Sequence, residues 1–136
     1  MILHIMKKII YIHIVLFTIL LCSTYVYAKK IPNLIGKWEG VNIKSTLKNG
    51  FVRSKNIIEI TDQKDRVFKG HVIHTGGKEE FVGVIKSDYI NFFWADSSND
   101  DGKVIGTILK KNKIETCYLD SGKDAIAGCS ILERMK

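Results

Sequence analysis

Hydrophobic and polar residues alternate over most of the chain that follows residue 30. Runs rich in β-branched and aromatic residues are separated by short clusters of Gly, Asn, Asp and Ser. Such runs are typical of β-strands, and the 3.6-residue period of an amphipathic helix is nearly absent. The pattern predicts an all-β fold with strands near Ile35–Lys44, Val52–Thr61, Arg66–Thr75, Glu80–Ser87, Tyr89–Ala95, Lys103–Leu109, Lys113–Leu119 and Ala125–Arg134.

The connections between these strands are short and carry turn-forming residues. Short connections favour neighbouring antiparallel strands in an up-and-down meander. We therefore expect a meander of about eight strands that closes into a small barrel, with a β-sandwich as the alternative. The turn sequences are Lys48-Asn49-Gly50, Asp62 to Asp65, Gly76-Gly77-Lys78, Asn99-Asp100-Asp101-Gly102, Lys111-Asn112 and Asp120-Ser121-Gly122.

A weak internal repeat supports a barrel. Its pattern is an apolar residue, then Gly, then an aliphatic residue at every second position, which places all three on one face of a strand. A glycine in the middle of such a face lets the sheet bend, or lets a backbone or a large side chain come close. Chance recurrence is the alternative. The three copies are 68–72, 81–85 and 104–108.

The N-terminal residues have the order of a secretory signal peptide. Lys7 and Lys8 precede an apolar run, Ile9–Cys22, and Val26-Tyr27-Ala28 stands before two more lysines. A charged start, an apolar run of this length and a compact residue at the cleavage point are what a signal peptidase recognises. We expect residues 1–28 to be removed and the protein to be exported, to the periplasm or the extracellular space.

Two other fates of this segment remain open. The apolar run alone is shorter than the roughly 20 residues that span a bilayer, but reading on to Ala28 reaches that length, so the segment could stay as a membrane anchor. Lipidation of Cys22 would require small residues before it, and Leu20 and Leu21 are large. If the segment is cleaved, we expect contact with a membrane only through it, before cleavage.

Residues 29–136 form a segment long enough for a single domain with a modest core. The whole chain has a formal net charge of +7, and two of its lysines lie in the leader. The remaining positive charge is scattered, and Lys110, Lys111 and Lys113 lie where a turn is expected. Because no aromatic residues alternate with these cations, we expect solvated lysines and no nucleic-acid interface.

The two cysteines of the domain predict a disulfide, Cys117–Cys129, since an even number of cysteines in an exported protein favours pairing. Two reduced thiols are the alternative. The same bridge fixes a register, because residues opposite each other in antiparallel strands have a constant index sum. A tight turn at Ser121-Gly122 would instead set Cys117 opposite Ile126. With the bridge, Tyr118 faces Gly128, Leu119 faces Ala127 and Asp120 faces Ile126.

Motifs for catalysis or metal binding are weak. His71 and His74 are three residues apart, which places them on opposite faces of a strand and makes them a poor metal pair. The acidic stretch from Asp96 to Gly102 has Asp101 where a calcium loop needs Gly, and Thr107 where it needs Glu. We expect no metal site, no cofactor and no catalytic residues, hence a protein that is not an enzyme.

The densest apolar feature is the run Tyr89-Ile90-Asn91-Phe92-Phe93-Trp94. Alternation sends Ile90, Phe92 and Trp94 to one face and Tyr89, Asn91 and Phe93 to the other, so both faces carry large side chains. A strand of this kind is usually covered on both sides. One face packs in the core. The other lies under a loop or the chain termini, or it contributes to a ligand cavity or a partner surface.

Gly36-Lys37-Trp38-Glu39-Gly40 and Arg134 resemble a pattern of the calycin group, the lipocalin-like and avidin-like barrels. In that group a Gly-x-Trp opens the first strand, and an arginine of the last strand packs on the tryptophan across the closed end of the barrel. The resemblance implies that Arg134 stacks on Trp38 here. A cation over an indole face contributes roughly 0.5–2 kcal/mol.

Two functional classes follow from this pattern. A non-catalytic binding protein would hold a small apolar ligand inside the barrel, lined by Trp38, Phe92, Trp94 and Tyr118. A protein-protein interaction module, such as an inhibitor of a secreted or host enzyme, would fill its interior and bind an extracytoplasmic protein through its loops or its exposed aromatic face. Interior size separates the two, because an eight-stranded barrel can be filled by side chains or hold one small ligand.

Overall fold

The computed structural model describes residues 30–74, 77–97 and 102–136. The predicted signal peptide, its cleavage point and Cys22 lie outside these ranges. Within them, no helix has the length and apolar character needed to cross a membrane.

Eight antiparallel strands follow one another around a closed barrel. Each strand pairs with its neighbours in chain order, and β8 pairs with β1 to complete the ring. The predicted all-β meander is confirmed, and the sandwich alternative is wrong. The strands are β1 (Gly36–Thr46), β2 (Gly50–Lys64), β3 (Val67–His74), β4 (Gly77–Ile85), β5 (Asn91–Asp96), β6 (Lys103–Lys110), β7 (Lys113–Asp120) and β8 (Ile126–Arg134).

The start of β5 differs from the prediction, because Tyr89 and Ile90 belong to the turn before it. Asp88 Oδ1 accepts hydrogen bonds from the backbone N–H groups of Ile90 and Asn91, both at 2.9 Å. Tyr89 adopts a positive φ of 57°, which ends the strand alternation. Phe92 and Trp94 still point inward and are buried, whereas Phe93 points outward and is 39% exposed.

The same hydrogen bonds favour the ionised form of Asp88. The backbone N–H groups of Asn91 and Ile90, followed by the Asn91 side chain, lower the pKa of Asp88 from 3.8 to about 2. Because the folded pKa is depressed, the carboxylate stabilises the turn above pH 3.8 and loses this contribution as the pH falls through about 2. The turn therefore keeps its hydrogen bonds at neutral pH.

The core fills the barrel from the end where β1 begins. Alternation along each strand sends one set of side chains inward, and these pack together with a residue that precedes β1. Phe68 meets both Phe81 and Phe92 edge to face, with ring centroids 6.2 and 5.8 Å apart. The buried hydrophobic residues are Leu34, Trp38, Ile58, Ile60, Phe68, Phe81, Ile85, Phe92, Trp94, Val104, Ile114 and Leu132.

The glycines of the internal repeat make room for this core. A Cβ added to Gly83 would lie 2.3 Å from Phe68 Cζ, and one added to Gly106 would lie 2.0 Å from Phe92 Cζ. A Cβ at Gly70 would lie 2.1 Å from a backbone oxygen on β2. All three glycines face inward, so the predicted close approach of rings and backbone at these positions is confirmed.

The disulfide Cys117–Cys129 joins β7 to β8 with a Cα–Cα distance of 4.1 Å. The predicted register is confirmed, with Tyr118 facing Gly128, and the alternative turn is wrong. The close neighbour of Gly128 is on β1 and is not its partner Tyr118. A Cβ at Gly128 would meet Lys44 Cβ at 2.6 Å, whereas the Tyr118 ring lies against Gly102. A structural disulfide is typical of an oxidising, extracytoplasmic environment.

One end of the barrel is closed by a stacked pair and by the residues before β1. Arg134 Cζ lies 4.1 Å from the centroid of the Trp38 ring. The Trp38 Nε1–H donates to the Leu34 carbonyl at 3.0 Å. The Arg134 guanidinium donates to the carbonyls of Asn33, at 2.8 Å, and Ile35. Partial burial lowers the pKa of Arg134. The indole and the guanidinium are both hydrogen-bonded to carbonyls of the residues before β1, so this end is a packed seal.

Gln63, near the end of β2, fastens the same segment. Its Nε2 donates to the Pro32 carbonyl at 2.8 Å, and its Oε1 accepts from the Leu34 N–H at 2.8 Å. Leu34 is thereby held against the core, with 1% of its surface exposed. We call the end of the barrel that is sealed by Trp38, Arg134 and the residues before β1 the closed end. The opposite end contains the turn between β1 and β2.

Candidate functional site

At the opposite end the barrel is open, and its interior forms a cavity of about 530 Å³. We call this opening the mouth. The cavity extends inward as far as Ile58, Trp94 and Val104, which line it and also belong to the packed core. The interior is thus neither completely filled nor hollow along its whole length. It is filled at the closed end and open at the mouth.

One wall of the cavity is polar. The β-sheet register sets Ser54, Asn42, Ser130 and Thr116 side by side across β2, β1, β8 and β7. Asn56 Nδ2 donates to Ser130 Oγ at 2.9 Å. Ser130 and Thr116 are 2% and 5% exposed, so this part of the polar row lies well inside the barrel, whereas Asn42 is half-buried and Ser54 is exposed at the mouth. Buried hydroxyl and amide groups can fix the orientation of a ligand, because they require hydrogen-bond partners.

The facing wall is apolar. Val72 from β3, Trp94 from β5 and Val104 from β6 line this side. Trp94 lies nearly parallel to Phe81, with ring centroids 4.6 Å apart, and to Phe92, with centroids 5.9 Å apart. The Trp94 Nε1 atom is buried and has no hydrogen-bond partner among the described residues. An unpaired buried donor costs about 1–3 kcal/mol, and because this atom is shielded from the cavity, a ligand can accept from it only if the ring shifts.

Ionisable side chains surround the mouth on its inner side. Lys44 lies on β1, Glu79 on β4 and Asp96 on β5. His74 Nε2 lies 3.1 Å from Glu79 Oε1, an ion pair when the imidazole is protonated. In the order of the eight strands, β1 stands across the ring from β4 and β5. The mouth therefore has a cationic side and an acidic side.

The predicted lining residues fall into two groups. Trp94 and Tyr118 line the cavity. Trp38 and Phe92 do not, since both have 0% exposure and are packed in the closed half of the barrel. The polar row was not predicted from the sequence. Trp38, Asn42 and Lys44 nevertheless have even numbers, so they lie on the same face of β1. Once Trp38 is placed inward, alternation alone sends Asn42 and Lys44 into the interior.

The two strand histidines lie on opposite faces, as expected from their spacing. His71 points outward, with Nε2 3.0 Å from Glu59 Oε2, and His74 points toward the mouth. Across residues 30–74, 77–97 and 102–136, no group of three or more His, Cys, Asp or Glu side chains is arranged to hold a metal ion.

A broader hollow lies on the outer face of the barrel, over β3 to β7. The register places Val67, Val84, Phe93 and Ile105 side by side on four neighbouring strands. Each of the four is between 39% and 55% exposed. We call this set the outer apolar row. The row itself is apolar, and charged side chains of Asp62, Lys69, Lys103 and Asp120 surround it in the hollow. An apolar patch with a charged rim is typical of a protein-protein interface.

Two designed β-barrels align with this chain. A redesigned β-barrel aligns with a TM-score of 0.49 and 14% identity over 76% of this chain and 92% of that chain. A de novo designed fluorescence-activating β-barrel aligns with a TM-score of 0.45 and 14% identity over 74% and 93%. No protein-family model and no curated protein matches this chain. At this identity the comparisons assign no ligand to the cavity.

Proposed function

We propose that this protein is a non-catalytic binding protein that holds one small molecule in the mouth of its barrel. The observation that carries the proposal is the two-sided cavity, with a polar row on β2, β1, β8 and β7 and an apolar wall on β3, β5 and β6. A ligand that fits both walls has an apolar body and one edge that forms hydrogen bonds. The sequence pattern indicated an apolar ligand, and the cavity favours this added polar edge.

The size of the cavity supports the same class of ligand. Its volume of about 530 Å³ lies within the roughly 300–1,000 Å³ typical of small-molecule sites. The sealed end prevents passage through the barrel, so the ligand enters and leaves by the mouth. The closed half supplies a rigid base, because Trp38, Arg134 and the residues before β1 fix its geometry.

The Trp94 side chain suggests how the ligand is oriented. Because Phe81 and Phe92 lie nearly parallel to the indole, a ligand would meet the edge of this ring and not its faces. The unpaired Nε1–H is buried beneath the cavity surface. A carbonyl or another acceptor at the inner end of the ligand would satisfy it after a shift of the ring, while the polar row binds further acceptors and donors.

The test is native mass spectrometry of exported protein purified from its own host. We expect the wild type to carry a small molecule, and Val72→Phe to lose it, because the added ring would occupy the cavity. Val82→Phe makes the same change on the outer face, where the side chain is 67% exposed, and should retain the ligand. Retention by Val72→Phe, or equal loss from both variants, would rule out the cavity as the site.

We also propose that the barrel is of the calycin type. The support is the stack of Arg134 on Trp38 at the closed end, with Trp38 in the opening Gly-x-Trp of β1 and Arg134 in the last strand. Export to the periplasm or the extracellular space is part of the same proposal, and the disulfide supports it.

A second candidate function is a protein-protein interaction module that binds an extracytoplasmic protein. The outer apolar row favours it, since contiguous exposed apolar side chains on a small protein often mark an interface. The same mass spectra distinguish this candidate, because a bound protein would replace the small molecule. Phe93→Ser would then release that protein, and it would leave a ligand in the cavity unaffected.

A further inference from the structure

The two most exposed large apolar side chains among the described residues lie together at the mouth. Leu47 is 73% exposed and Phe51 is 91% exposed. Leu47 lies in the turn between β1 and β2, and Phe51 faces Ser45 on β1 just after that turn. We call Leu47, Lys48 and Phe51 the tip. Neither side chain packs in the core, and two large apolar side chains exposed at one projecting turn are typical of a binding surface.

The backbone holds the tip in a defined position. The Leu47 N–H donates to the Ala125 carbonyl at 3.2 Å, and the Asn49 N–H donates to Thr46 Oγ1 at 2.8 Å. In addition, β2 pairs with β3 only from Ile57 onward, so the part of the hairpin nearest the tip has a sheet neighbour at β8 but none at β3. The tip is therefore a fixed convex projection at the rim of the barrel.

Cations lie beside and behind the apolar side chains. Lys48 is part of the tip, Arg53 follows Phe51 by two residues on the same outward face, and Lys123 lies in the loop that contacts Leu47. Two residues of a strand span about 7 Å. Apolar side chains at the outermost point, with cations about one headgroup layer behind them, match the layering of a bilayer with an anionic surface.

The acidic side of the mouth does not oppose this arrangement. Glu79 and Asp96 belong to β4 and β5, across the ring from the tip. An anionic surface that approached the whole mouth would meet these carboxylates, but a surface that meets the tip alone meets three cations, Lys48, Arg53 and Lys123, and one carboxylate, Asp124. The charge distribution thus favours a tilted contact through the β1–β2 side.

We propose that the tip docks the protein on an anionic lipid bilayer, with Leu47 and Phe51 inserted at the level of the headgroups. The expected membrane contact of the leader is separate from this one, because it lies in residues 1–28. Docking through the tip brings the open mouth beside the bilayer and leaves the closed end facing away. This inference is independent of the proposed ligand, since it rests on the outer surface of the hairpin.

The test is cosedimentation of the exported protein with phosphatidylglycerol-phosphatidylcholine vesicles and with vesicles of phosphatidylcholine alone. We expect binding to the anionic vesicles that weakens as salt is added, because salt screens the cations. Leu47→Ser with Phe51→Ser should lower the partition coefficient at least about tenfold, since two large apolar groups no longer insert.

A matched control removes two apolar side chains elsewhere. Val82→Ser with Ile105→Ser changes exposed residues of β4 and β6 and should bind as the wild type does. Phe51→Trp should retain binding, and its fluorescence should shift to the blue on the vesicles. All variants share the same N-terminus, so any leader that remains contributes equally. Equal binding by the tip variant, equal loss from both double variants, or no binding by the wild type would overturn the proposal.

Discussion

Replacing Trp38 by Ala is expected to destabilise the protein by about 3–5 kcal/mol, the cost of removing a large side chain from a sealed core. Trp38 has 0% exposure, and its Nε1–H satisfies the Leu34 carbonyl. Arg134→Ala should cost less, because it removes a partly buried cation that stacks on the indole and donates to two carbonyls. Loss of either side chain opens the closed end to water.

A double-mutant cycle shows whether the two residues act together. Because Arg134 stacks on the Trp38 ring, the double variant should lose less than the sum of the single losses, by roughly 0.5–2 kcal/mol. Denaturant unfolding followed by circular dichroism measures each free energy. Arg53→Ala removes an exposed arginine from the outer face of β2 and should change little. Strict additivity of the Trp38 and Arg134 losses would show that the stack contributes nothing to stability.

Gly106→Ala is expected to destabilise the barrel by about 1–3 kcal/mol or more, since it overpacks a tightly filled core. The new Cβ would lie 2.0 Å from both Cε2 and Cζ of Phe92. Phe92 has 0% exposure and meets Phe68 and Trp94, so its ring has little room to move away. The strand or the ring must shift, and either movement disturbs the aromatic cluster.

A second substitution separates this clash from a general preference for glycine. Phe92→Leu shortens the side chain that the new methyl group meets, so Gly106→Ala should cost less in that background than in the wild type. Ile105→Ala, on the adjacent outward position, should have a small effect because Ile105 is 44% exposed. If Gly106→Ala costs the same in both backgrounds, the Phe92 ring does not require the glycine.

The fold could be predicted from the sequence because local and long-range signals agree. Alternating residues placed the strands, and turn residues set the order of antiparallel neighbours. The disulfide then fixed the register of β7 on β8. The start of β5 was misplaced, because a side chain that accepts backbone hydrogen bonds, Asp88, draws Tyr89 and Ile90 into a turn although both are favoured in strands.

The cavity was harder to predict, because its lining depends on depth along the barrel axis. Phe92 and Trp94 share an inward face, but only Trp94 lies high enough to line the cavity. Depth follows from the stagger between strands, which periodicity does not give. The polar row could have been found from parity on β1, yet its continuation through Ser130 and Thr116 requires the pairing of β1 with β8, the contact that closes the barrel.

The two tryptophans of the chain offer the most direct test of the central claim, that the mouth is the binding site and the closed end is a seal. The protein is labelled with ¹⁵N, stripped of its ligand, and observed as the released molecule is added back. The Trp94→Phe variant assigns the two indole N–H signals. If the ligand binds in the mouth, the Trp94 signal shifts and the Trp38 signal does not. A shift at Trp38 with Trp94 unchanged, or binding that moves neither signal, would contradict this claim.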